Sequence, residues 1–433
     1  GKSSGREVAE NLDDDHKEGR KFVLDASERE YAERCVENGV QELWTADTLE
    51  DRILSLTWGF ATGRVPLGWV QQKRKWAESP GGWTAVPPGV TLVVRPFLSI
   101  SEAELVDQCR QLDAPFLAGN LLEPKDKQTA KSALVTEGPT GFLDDMRCLT
   151  DHVDELADAL AVESDAIVRR SIVNSHYSGH LIIRRSSLNE APTDAVATHV
   201  IHRLVCYVRG HQGEVRNVRA VSRLQAHIRD VRENISGTTM NGAYVKAVSS
   251  RRMVEFYSGF WQNASSLHDS SGGTQFLSFL REIGPIRKQH VCVDMNELAY
   301  FDQRFIVWVE KKDSEPLAVN DREILLCILR NARGSGKGTS EKQFRIRIMN
   351  DDDWREIGIH FPRARRTRLP HEARMSLPVV ESREGLIAVP HLNINFRRDL
   401  RVTAALVPGN RSLPADVDPG YNLASLQIDK EEL

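Results

Sequence analysis

Asp47, Glu50 and Asp51 open the segment Asp47-Thr-Leu-Glu-Asp-Arg-Ile-Leu-Ser-Leu-Thr-Trp-Gly-Phe-Ala-Thr-Gly63, in which Leu49, Ile53, Leu56 and Phe60 recur at helical spacing. A short apolar run, Leu43–Ala46, precedes it and reads as a strand. Acids in the first turn of a helix that follows a strand lie at the carboxyl edge of a sheet, where α/β folds bind ligands. There they can hold a divalent cation or an ammonium group. They can equally be ordinary first-turn acids, favoured by the helix dipole. A second apolar run, Thr91–Val94, ends at Arg95-Pro96 and brings a guanidinium toward the same edge.

Arginines form a second set. Arg169-Arg170, Arg184-Arg185 and Arg251-Arg252 are pairs, and Arg363, Arg365, Arg366 and Arg368 form a run. Each pair alone reads as solvated surface. Four clusters in a chain with 57 Lys+Arg against 61 Asp+Glu read as phosphate-contacting points spread over two regions. The glycine-rich stretch Arg333–Thr339 lacks the first glycine of G-x-x-x-x-G-K-[ST] and has Gly338 where the hydroxyl should stand, so it reads as a basic hairpin. His199, His202 and Cys206 share a helical face with Ile201 and Val205, which reads as half-buried packing; no metal site is assigned.

The elements that must position these residues follow from length and pattern. At 433 residues and 48.7 kDa the chain has room for two or three domains. Hydrophobic residues at 40% and charged residues at 27% exclude a disordered or membrane-embedded chain, and no apolar run is long enough to span a bilayer. A net charge of -4 excludes recruitment of nucleic acid by bulk charge. Six scattered cysteines without a C-x-x-C point to isolated thiols in a reducing compartment. Residues 1–21 read as a flexible tail.

Over 22–141, helices and strands alternate as in a doubly wound α/β sheet: a capping box at Ser27 and Glu30, the strands and helix above, then a second box at Ser101 and Glu104 opening a helix with inner positions Leu105, Cys109 and Leu112. Residues 142–236 read as a helical domain, with Met146, Leu149, Val153 and Leu156 recurring every three to four residues and the pattern repeated over Thr193–Val208 and Val218–Ile235. Residues 237–433 read as a mixed α+β region, with strands at Tyr244–Val248, Val291–Val293, Phe305–Val309 and Phe344–Ile348 and a helix at Gln275–Ile283.

In this order the chain resembles the tRNA(Ile)-lysidine synthetase family of N-type ATP pyrophosphatases. Asp47-Thr48, Glu50-Asp51-Arg52 and Leu54-Ser55 stand where that family has HHxDDQxET, with Gly63 at the closing glycine. Arg95-Pro96-Phe97-Leu98 and the capped helix after it match the second block, Gly237–Lys246 resembles the turn and strand leaving the helical domain, and Gly385–Pro390 a strand of the terminal module. The similarity covers roughly residues 20–260 and the C-terminal end. Ser271-Gly272-Gly273 resembles the opening of the SGGxDS phosphate loop, but polar residues precede it and Gln275-Phe276 follow, so it reads as a linker.

The resemblance implies a partial doubly wound parallel sheet of the adenine-nucleotide α-hydrolase kind. It implies a ligase that uses ATP and Mg²⁺ to adenylate the 2-oxo group of the wobble cytidine in an isoleucine tRNA with a CAU anticodon, after which the ε-amine of L-lysine displaces AMP. Glu50 and Asp51, with Asp47, would hold the metal or the lysine ammonium. Arg52, Gly63 and Arg95 would contact ATP or substrate, and the arginine clusters would grip tRNA phosphates. The phosphate loop would come from residues upstream of Gly1 or from another chain; otherwise the protein is a non-catalytic RNA-binding relative. The family's distribution implies a mitochondrial or cytoplasmic protein, with the mitochondrion favoured.

Overall fold

The computed structural model describes residues 33–40, 42–44, 46–61, 73–75, 92–115, 125–136, 141–175, 178–210, 218–230, 237–240, 242–248, 276–317, 319, 323–324, 326–328, 343–362, 364 and 369–407. The chain is mixed α/β, and among the described residues three of the four sheets are wholly antiparallel. The box at Ser27, the loops at Ser271–Gly273 and Arg333–Thr339, Gly63, Arg251, Arg252, Arg363, Arg365, Arg366 and Arg368 lie outside the described residues.

Parallel pairing among the described residues is confined to one pair. Strand β1 (Glu42–Trp44) runs parallel to β3 (Leu92–Val94), while β2 (Lys73–Lys75) pairs with β3 antiparallel. Helix α1 (Leu49–Ala61) follows β1, and α2 (Glu102–Gln111) follows β3. Leu49, Ile53 and Leu56 are buried on one side of α1, as their spacing requires. The Ser101 hydroxyl caps α2 by accepting from the Glu104 N–H at 3.2 Å, and the Glu104 carboxylate accepts from the Ser101 N–H at 2.7 Å. The inner face expected for α2 is corrected: none of its residues is buried, and Leu112 at its end is 76% exposed.

Helix α3 (Lys125–Thr136) leads to the 30-residue α4 (Phe142–Ser171). Its buried positions are Thr150, Ala157, Ser164, Ile167, Val168 and Ser171, whereas Leu149 and Leu156 point outward. The helix follows the recurrence of the apolar residues, but Leu149 and Leu156 are not on its buried side. Small residues at seven-residue intervals let α4 lie close against α6 (Asp194–Arg209), so the interface follows the small stripe.

Two strands interrupt the region expected to be helical: β4 (Ile172–Ser175) and β5 (Leu181–Arg184), followed by α5 (Arg185–Asn189), α6 and α7 (Val218–Asp230). They join β6 (Thr238–Met240), β7 (Ala243–Val248) and β8 (Phe276–Arg281) in a sheet of order β4-β5-β8-β7-β6. The helix expected at Gln275–Ile283 is therefore a strand. Every residue of β8 is buried, because it lies between β5 and β7 with both faces covered. An apolar run of this length carries no periodicity that separates a doubly covered strand from a buried helix.

The remaining strands are β9 (His290–Val293), β10 (Leu298–Phe301), β11 (Phe305–Lys311) and β12 (Phe344–Ile348), with helices α8 (Asp351–His360) and α9 (His371–Met375) before β13 (Pro378–Ser382), β14 (Gly385–Val389), β15 (Ile394–Asn395) and β16 (Leu400–Leu406). They form one sheet of order β15-β14-β13-β12-β9 and another of order β10-β11-β16. One hydrophobic cluster runs from Ile167 and Val168 of α4 through α6, β5 and β8 to Val307, Ile346 and Ala404. Helices and C-terminal strands thus share a core, and burying each such aliphatic side chain stabilises the fold by roughly 1.5–3 kcal/mol.

Candidate functional site

The carboxyl ends of β1 and β3 bring Asp47 and Arg95 together. Arg95 Nε donates to Asp47 Oδ2 at 2.8 Å, across a sequence gap of 48 residues. Their side chains are 36% and 16% exposed, so the pair lies at the surface of the sheet edge. Arg95 Nη1 is buried and has no hydrogen-bond partner. A guanidinium with one unused donor beside a single carboxylate is suited to an anion, since its fork matches phosphate and carboxylate oxygens.

Glu50, Asp51 and Arg52 are placed differently from the expectation of an exposed helix start. Glu50 is 1% exposed, and both its oxygens accept from the Glu102 N–H, at 3.0 and 3.1 Å. Its charge therefore sits on the N-terminus of α2, where amide groups and the dipole favour an anion. Asp51 turns back onto Thr48, accepting from its N–H at 3.0 Å and its hydroxyl at 3.1 Å, and also takes Lys131 Nζ at 2.9 Å. Arg52 spans to α4, donating to Asp151 and to Asp154 at 2.7 Å each. Burial and the Asp158 and Asp151 charges push the Asp154 carboxyl above its ordinary range, against the pull of Arg52.

These three side chains fasten α1 to α2, α3 and α4. The correction has a physical reason: where two helix starts and a buried lysine converge, carboxylates satisfy N–H groups and an ammonium that would otherwise be buried unpaired. A magnesium ion demands near-octahedral oxygen ligands, whereas both Glu50 oxygens are turned onto the Glu102 N–H and Asp51 Oδ2 onto the Thr48 N–H and hydroxyl and the Lys131 ammonium. They do not fit as its ligands, and no group of three or more metal-capable side chains exists among the described residues.

The described arginines divide. Arg169, Arg170 and Arg184 are exposed at the end of α4 and of β5. Arg185 instead donates its Nε to the Ile228 carbonyl at 2.7 Å and ties α5 to α7. His202 Nε2 lies 3.5 Å from Cys206 Sγ, with His199 stacked obliquely 6.4 Å from the His202 ring, a packing arrangement like that expected.

Sequence reasoning missed a buried charge cluster. Asp302 and Gln303 form the turn between β10 and β11 with φ of 50° and 54°, and Asp302 there binds Arg281 at 2.7 Å and Arg304 at 2.7 Å. Arg304 is fully buried and donates to the Ser376 carbonyl at 3.0 Å. An Asp between two apolar strands was the one available signal, and it reads first as turn chemistry. Arg304 is its neighbour in the same turn, whereas Arg281 comes from the end of β8 and is brought near only by tertiary packing.

No family model matches this chain, and no curated protein matches it.

Proposed function

We propose that the chain forms most of a tRNA(Ile)-lysidine synthetase-like ligase, in which the α/β unit is the carboxyl part of a doubly wound, adenine-nucleotide α-hydrolase-like sheet. The observation that carries this reading is the Asp47–Arg95 pair at the carboxyl ends of the parallel strands β1 and β3, with an unused buried guanidinium nitrogen. That is the edge at which such sheets take ligands. On this reading Arg95 contacts phosphate or the cytidine adduct, and Asp47 orients it. Glu50, Asp51 and Arg52 hold the helices in place and take no part in the chemistry. ATP and L-lysine are substrates, and structured tRNA is gripped through its backbone by exposed arginines such as Arg169, Arg170 and Arg184.

A second reading, a non-catalytic RNA-binding relative, is favoured by the internal commitment of Glu50 and Asp51. Incubating the complete gene product with unmodified isoleucine tRNA, ATP, magnesium and labelled lysine separates the two. Lysine incorporation that is lost in Arg95→Ala supports the ligase. Tight tRNA binding without any incorporation overturns it in favour of the second reading. A mitochondrial location, which belongs to the same proposal, is tested by fractionating cells that express the tagged protein.

A further inference from the structure

The outward face of α4 is both apolar and acidic. Leu149, His152, Leu156, Ala159, Val162 and Ala166 are all exposed and follow one another at steps of three or four residues. At roughly 100° per residue they fall within about 140° of arc over about 26 Å, an arc they share with Asp145, Glu155 and Glu163. Leu149, Leu156 and Val162 are 43%, 65% and 69% exposed, so nothing in the described fold covers them.

The charges set among these apolar residues are of one sign. Between Asp144 and Asp165 the helix has eight acids and a single base, Arg147, in a chain whose net charge is -4. Asp151 and Asp154 are engaged by Arg52, and Asp144 by Arg147. Asp145, Glu155 and Glu163 are exposed and in no ion pair of the described residues. A nucleic acid is repelled by such a face. A second copy laid along it would bring carboxylate against carboxylate, which destabilises at helix–helix spacing.

We propose that this face of α4 docks a basic amphipathic helix of a partner protein, its leucine-type stripe against Leu149, Leu156 and Val162 and its lysines or arginines against Glu155, Glu163 and Asp145. The apolar residues supply burial, and the acids interleaved with them select the partner and speed encounter. The face ends one turn before Arg169 and Arg170 on the same helix, and the proposal does not depend on the tRNA-binding role given to them.

The probe is a labelled synthetic helix of about 20 residues with leucine at the a and d positions and lysine at e and g. Its anisotropy is titrated with the full chain, beside a twin peptide that carries glutamate at e and g. Binding of the lysine peptide is expected, weakening at least roughly tenfold as salt rises from about 0.05 to 0.5 M. The Leu149→Glu/Leu156→Glu/Val162→Glu variant is expected to lose that binding with an unchanged melting temperature, because the three side chains are already exposed. A second variant, Glu155→Lys/Glu163→Lys, is expected to reverse the preference between the peptides. Equal binding of both peptides, no binding of either, or unaltered binding to the triple variant overturns the proposal. So does a wild-type dimer in sedimentation that the triple variant abolishes, which would assign the face to a second copy.

Discussion

Lys131 reaches across from α3 to within 2.9 Å of the Asp51 carboxylate, and the two side chains are only 9% and 10% exposed. A pair so enclosed is expensive to break from one side, since the survivor is a charge without compensation. Asp51→Asn and Lys131→Met are each expected to cost about 3–5 kcal/mol, and the double variant clearly less than their sum. Urea denaturation of the four proteins measures the coupling. Additive losses would show that the pair contributes nothing as a pair.

Glu50→Gln with Asp51→Asn is expected to lower the unfolding midpoint, because one carboxylate caps α2 and the other closes the start of α1. The cap alone is worth about 0.5–2 kcal/mol. Thermal melts and lysine incorporation are read on the same preparation. An unchanged midpoint with incorporation abolished would return both acids to a chemical role.

Asp302 compensates two arginines, so Asp302→Asn leaves Arg281 and Arg304 facing each other in the core and is expected to destabilise by about 3–5 kcal/mol. Gly210→Ala tests the same junction through the backbone. Gly210 has φ of 73°, and a Cβ there would collide with the Gln303 carbonyl, so a loss above about 1 kcal/mol is expected. Wild-type stability in either variant would mean that α6 and the β10–β11 turn do not depend on this junction.

Burial, reinforced by Arg203 and His202, pulls His199 from 6.5 to about 4, and burial with Arg209 and Arg203 does the same to His202. Between about pH 4 and 6.5 the unfolded chain therefore binds more protons than the folded one. Stability is fully present above pH 6.5 and falls on acidification through that window, by about 1–2 kcal/mol per pH unit. Urea midpoints at a series of pH values check this, and His199→Gln/His202→Gln should flatten the profile. A profile equally steep in that variant would place the acid sensitivity elsewhere.

Arg169, Arg170 and Arg184 are exposed, so replacing the three with alanine is expected to weaken tRNA binding at constant melting temperature. The salt slope of binding should fall by roughly 0.7–0.9 for each phosphate that is no longer neutralised. Arg185→Ala provides the contrast: it should lower stability, because its Nε holds the end of α7. Unchanged tRNA affinity and slope in the triple variant would make these three arginines plain surface.

Local chemistry carried much of this fold in the sequence itself. The box at Ser101 and Glu104, the apolar face of α1 and strands β7, β9, β11 and β12 are set by neighbours a few residues apart, and their spacing announces them. Tertiary structure decided what those spacings could not express. β8 is a strand because β5 and β7 flank it, not because of its own pattern. Leu149 and Leu156 face outward because the small residues of α4 take the place against α6. Asp51 and Arg52 are fastenings because Lys131, Asp151 and Asp154 arrive 80 to 102 residues later. A carboxylate at a helix start has the same local signature whether it meets solvent, a metal or a buried ammonium. Which of these it meets is settled only when distant segments pack, and the desolvation of that packing makes the partner obligatory.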